Sequence, residues 1–150
     1  MTDNRTEALT RVVVGVDGSD QSKSALRWAV LIAKMTGARV IAVAVWHLPA
    51  NYGMVYVPGD WQPGQDAESG LSLTLAAVFG DERPMNLDVL VVEGNPAKVL
   101  LDQSVDAQLL VVGSRGHGGF AGLLLGSVSS ICAEHASCPV LVVHGDGPPL

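Results

Sequence analysis

Arg11-Val12-Val13-Val14-Gly15-Val16 runs directly into Asp17-Gly18-Ser19-Asp20, and the junction between these two segments decides the fold. The first segment is apolar and β-branched without polar alternation, the pattern of a strand buried on both faces. The second is a turn cluster that also supplies an N-cap for a helix. The expected helix places Ala25, Leu26, Ala29, Val30 and Ala33 at helical spacing, with Lys23, Arg27 and Lys34 outside that stripe, and Gly37 stops it. A second buried strand follows over Arg39 to Val45. Strand, helix and strand of this kind make one unit of a parallel sheet.

Outward from that unit the alternation continues. Trp46 to about Asp66 has no clean period, several aromatics and a cluster of Pro and Gly between Pro58 and Gly64, and is expected to be a long loop. Ala67 to Phe79 reads as a modest helix and Leu87 to Val92 as a third strand. Asn95-Pro96 pairs an N-cap with proline at the first helical position, so a short helix is expected to about Val105. Gln108 to Val112 is a fourth strand, Ser127 to Ala136 a last helix, and Pro139 to Val143 a fifth strand. Residues 1–10 are a polar lead-in expected to be disordered, residues 11–144 one domain, and residues 145–150 a flexible tail. The result is a single α/β domain with a parallel sheet covered on both faces. Spacing alone leaves the strand order open.

Composition bounds the function. The chain has 150 residues, 48% of them apolar and 16% charged, enough for one core and too apolar for general disorder. Its net charge of -6 and the lack of any lysine–arginine cluster argue against nucleic acid. The apolar runs are too short to span a membrane and the first residues are unlike a signal peptide, so a cytoplasmic protein is expected. Cys132 and Cys138 then read as reduced thiols, Cys132 as part of the core because it shares a helical stripe with Val128 and Ala136.

In open parallel sheets, ligands bind beyond the carboxyl ends of the strands, where connections diverge to opposite faces. Two expected strand ends carry glycine here, at Asp17-Gly18 and at Gly113. The second continues as Gly113-Ser114-Arg115-Gly116-His117-Gly118-Gly119 and leads to Leu125-Gly126-Ser127 at a helix start. Glycines let backbone N–H groups approach an anion, and a helix N-terminus adds favourable partial charge. Ser127 can cap that helix or give its hydroxyl to a phosphate, and Arg115 and His117 offer further contacts.

The spacing Gly113-x2-Gly116-x9-Gly126-Ser127 resembles the nucleotide-binding signature of the universal stress protein family. The opening Val12-Val13-Val14-Gly15-Val16-Asp17 and the closing Cys138-Pro139-Val140-Leu141-Val142-Val143 are similar to that family's first and last strands. The resemblance implies a doubly wound, Rossmann-like domain of the adenine nucleotide alpha hydrolase type, with sheet order 3-2-1-4-5. It implies ATP as ligand. Adenine contacts would fall at Gly15, Val16, Asp17 and the Val45 backbone. Ribose and phosphates would fall at Val112, Gly113, Ser114, Arg115 and Gly116, and at Gly126, Ser127, Val128 and Ser129. Asp17 would lie near the phosphates or a Mg2+ ion, a cation suited to carboxylate, while it also suits a cap for the first helix. A homodimer joined through the fifth strands is implied as well.

Other chemistries fit less well. Gly116-His117-Gly118-Gly119-Phe120-Ala121 formally fits a dinucleotide fingerprint, but no further strand ends in an acidic residue about twenty residues on. A P-loop lysine and a nucleophile elbow are both missing. His47, His117, His135 and His144 show no metal-ligand spacing, and His135 suits the C-terminal end of its helix. Trp46, Tyr52, Tyr56 and Trp61 could cover a base or pack their own loop. Three roles follow: an ATP-dependent regulator acting on a protein partner with little or no hydrolysis, a slow ATPase, or a nucleotide-independent interaction protein. Asp17 and Arg115 are the sole candidates for hydrolytic chemistry and have no visible supporting partner, which favours the regulator.

Overall fold

In the computed structural model, which describes residues 10–48, 59–115, 125–145 and 147–148, β1 spans Arg11–Gly15. The turn after it does what its composition demands. Ser19 caps α1 (Asp20–Thr36) by accepting a 3.2 Å bond from the Ser22 N–H, and Gly37 ends that helix with a left-handed φ of 74°. The chain continues through β2 (Arg39–Trp46), α2 (Pro63–Phe79), β3 (Leu87–Glu93), α3 (Pro96–Gln103), β4 (Leu109–Gly113), α4 (Ser127–His135) and β5 (Val140–Val143). Asn95 caps α3 as its sequence suggested, accepting from the Lys98 N–H at 3.0 Å.

The expected loop from Trp46 to Asp66 is shorter at both ends. Trp46 still pairs with Glu93 of β3, so β2 runs one residue further. Helix α2 begins at Pro63 rather than Ala67, because proline at the first helical position has its φ preset and no N–H to satisfy. The Pro63-Gly64 pair that suggested a loop is thus a helix start. Tyr52 and Tyr56 lie outside the described residues.

All strand pairs are parallel and the order is β3-β2-β1-β4-β5, as the resemblance implied. In register, Val12 pairs with Val40 and Val13 with Leu110. Successive residues of β1 therefore feed two cores. Val12 and Val14 pack with Leu26, Ala29 and Ala33 of α1 and Leu71 and Leu75 of α2. Val13 packs on the other face with Leu110, with Val99 and Leu100 of α3, and with Cys132 of α4. This double burial is why β1 shows no polar alternation. Leu26 is fully buried, which contributes about 1.5–3 kcal/mol.

Helices α1 and α2 thus cover one face, and α3 and α4 the other. Neighbouring strands β1 and β4 send their chains to opposite faces, and a crevice opens between their carboxyl ends. Past the end of β5, Gly147 lies against Arg27 and Ser24 of α1.

Candidate functional site

The crevice holds a cavity of about 370 Å³ whose walls come from β1, β2, β4, α3 and the start of α4. Gly15, Val16 and Asp17 form the β1 exit, and Val112 with Gly113 the β4 exit. Val45 lines the β2 side, together with Val43 and His47. Backbone alternation gives Val45 a specific role. The Val43 carbonyl accepts from the Val16 N–H at 2.8 Å, on the β1 side of β2. Two residues on, the Val45 peptide groups point to that same side, past the last residue of the β1 ladder. They can therefore address the edge of a planar ligand.

One side of the cavity is apolar. Val43 and Val45 face Pro96 and Leu100 of α3, and Leu100 lies so close to β1 that a Cβ on Gly15 would meet its Cδ1 at 2.9 Å. The opposite side is polar and is made by the first turn of α4. Its N-cap is Gly126, which has no side chain to accept from the helix. The Gly126 N–H is itself engaged by the Ser114 carbonyl at 2.7 Å. The amides of Ser127, Val128 and Ser129 follow without a capping oxygen, and all three residues line the cavity beside Arg115. An uncapped first turn beside a guanidinium favours an anion. Helices α1 and α3, by contrast, carry side-chain caps.

Asp17 stands at the mouth, where its Oδ1 accepts from the Ser19 N–H at 2.9 Å and the Ser19 hydroxyl at 2.5 Å. It is therefore part of the α1 start as well as of the crevice. Ser22 joins the same network, donating from Oγ to the Ser19 carbonyl at 2.9 Å. Among the described residues no three His, Cys, Asp or Glu side chains gather to hold a metal.

Of the residues expected at the site, Gly15, Val16, Asp17, Val45, Val112, Gly113, Arg115, Gly126, Ser127, Val128 and Ser129 are brought to one cavity. Ser114 is not in its wall; the Ser114 hydroxyl donates to Gln21 Oε1 at 3.1 Å instead. Gly116 and His117 lie outside the described residues. Ser127 is the first helical residue, so the cap is Gly126. Ser22, Val43, His47, Pro96 and Leu100 also line the cavity, without being expected there. Val43 and His47 were within reach, since a period of two from Val45 marks both; Pro96 and Leu100 depend on where α3 docks.

Comparisons with known proteins agree with the fold. The universal stress protein family matches residues 9–144. A universal stress protein of Mycobacterium tuberculosis is 40% identical over 137 residues, which cover 89% of this chain and 44% of that protein. The chain thus spans less than half the length of the curated relatives it matches. A universal stress protein from Lactobacillus plantarum superposes with a TM-score of 0.70 at 24% identity, covering 90% of this chain and 97% of that one. Another, solved in complex with cAMP, has a TM-score of 0.66 at 28% identity, covering 91% and 98%.

Proposed function

The chain belongs to the universal stress protein family, and on that premise we propose that its crevice binds an adenine nucleotide, ATP foremost, as a regulatory ligand. The observation that carries this reading is the uncapped first turn of α4, whose Ser127, Val128 and Ser129 line the cavity beside Arg115. Phosphate meets those donors, while adenine enters the slot between Val43, Val45 and Leu100 with its edge toward the Val45 backbone. A relative 28% identical was solved in complex with cAMP, which supports an adenine nucleotide as the class of ligand.

Asp17 is the one carboxylate of the cavity among the described residues, and Ser19 already engages its Oδ1. That suits contact with a Mg2+ ion carried in by the phosphates, and does not build a metal site by itself. Hydrolysis would need a positioned water and charge stabilisation beyond Arg115, so the reading is a nucleotide-dependent regulator with little or no turnover. The protein partner of such a regulator reads the bound state, and a second copy of the chain joins through β5, the edge strand beside β4. A cytoplasmic setting accords with this role; among the described residues no helix is long and apolar enough to cross a membrane.

Calorimetric titration of nucleotide-stripped protein with ATP, ADP and AMP, each with and without Mg2+, tests the reading. Saturable binding that weakens as phosphates are removed is expected. Absence of binding to all three would reduce the α4 turn to a structural feature.

A further inference from the structure

Ser114 follows β4 and is 4% exposed. Three elements meet on it. Its N–H donates to the Val143 carbonyl at 2.8 Å, its carbonyl accepts from the Gly126 N–H at 2.7 Å, and its hydroxyl donates to Gln21 Oε1 at 3.1 Å. It thereby ties β5, the N-cap of α4 and the first turn of α1 together. The residue before it adds a fourth tie, since the Ser129 hydroxyl donates to the Gly113 carbonyl. The first turn of α4 is hung from residues 113 and 114 by these two bonds, one at Gly126 and one at Ser129. Wherever the Ser114 peptide goes, the amides of Ser127 to Ser129 follow. The bond to Gln21, beside the close approach of Gly113 to the same residue, holds that peptide sideways against α1.

We propose that the Ser114–Gln21 hydrogen bond positions the α4 amides for phosphate and so sets the preference of the crevice for a phosphorylated nucleoside over the bare nucleoside. The inference rests on the adenine-nucleotide reading above. Hydrogen bonds to an anion weaken steeply with misalignment, so a small displacement of the turn is felt by phosphate. The apolar slot is built from β2 and α3, to which Ser114 makes no hydrogen bond, and the base is held independently. Ser114 is a positioning residue: it acts through Gly126 and stays out of the cavity wall.

The test is titration of the full chain with AMP and with adenosine, in the wild type, Ser114→Ala, Gln21→Ala and the double variant. Gln21→Ala keeps the Cβ that packs on Gly113, and its position is only partly buried, so it guards against a folding failure at Ser114. Each single variant is expected to lose AMP affinity by roughly 3- to 10-fold, the range of one net hydrogen bond, with adenosine affinity unchanged. The double variant should lose no more than the weaker-binding single variant, because both remove the same bond. Unchanged AMP affinity in Ser114→Ala, a parallel loss of AMP and adenosine, or additive losses would each overturn the proposal. A wild type that binds neither AMP nor ATP would overturn the nucleotide reading itself.

Discussion

A Cβ on Gly113 would stand 2.8 Å from the Cβ of Gln21 and 2.9 Å from its carbonyl carbon. Helix α1 crosses the end of β4 at a distance that leaves no room for a methyl group, and the obstacle includes backbone. Gly113 does not have a positive φ, so it is the missing side chain and not the backbone freedom that this position requires. Gly113→Ala should therefore destabilise the fold by about 1–3 kcal/mol through overpacking. Urea denaturation measures it, and an unchanged midpoint would mean that α1 retreats without cost.

Gly126 is expected to behave in the opposite sense. Its φ of -69° and ψ of 167° are those of an ordinary N-cap, which aspartate adopts readily. Gly126→Asp would give α4 the cap it lacks and hold or slightly raise stability, while placing a carboxylate where phosphate must sit. ATP binding should vanish with the thermal midpoint unchanged or higher. ATP bound normally by this variant would falsify the α4 turn as the phosphate site.

Asp17→Asn separates the two duties of Asp17. Asparagine keeps an Oδ1 that can accept from Ser19, so the stability change should stay within about 0.5 kcal/mol. The gain in ATP affinity on adding Mg2+ should be lost, whereas AMP binding without Mg2+ should persist. Equal Mg2+ enhancement in variant and wild type would take Asp17 out of contact with the ion.

Cys132 makes the fold sensitive to alkali. Burial, and secondarily the neighbouring Cys138 thiol, push its pKa up from 9.0 to about 11. Between those values the unfolded chain releases the thiol proton while the folded chain retains it. Stability contributed by this group is thus complete below pH 9 and falls as pH rises, by up to about 3 kcal/mol near pH 11. Urea midpoints followed from pH 8.5 to 10.5 should decline more steeply in the wild type than in Cys132→Ala. Identical slopes would show that the Cys132 thiol ionises as easily folded as unfolded.

Much of this arrangement was legible residue by residue. The valines of β1, an N-cap within Asp17 to Asp20, the Asn95 cap, the Gly37 stop and the Gly126-Ser127 helix start are local signals, decided by neighbours a few residues away; that the cap is Ser19 and not Asp17 is decided by the turn geometry. The α2 start is not legible locally because Pro63-Gly64 serves turns and helix starts equally well, and what separates the two is whether Leu71 and Leu75 find a sheet to bury against. An expected strand end at Val45 leaves His47 outside the site, whereas pairing with β3 carries the strand to Trp46.

Chemical type and period were enough to specify alternating strands and helices, a sheet buried on both faces, and an anion-friendly helix start after a glycine-rich strand end. Those properties follow from side-chain shape and backbone geometry within one segment. The duty of each residue in the glycine-rich stretch was decided only in the folded domain. Gly113 and Ser114 sit side by side in the signature, yet one makes room for α1 and the other bonds to it. Their partner, Gln21, lies 93 residues from Ser114 along the chain. No local pattern encodes a contact of that separation; it exists because parallel β1 and β4 are neighbours and α1 must cross the end of both.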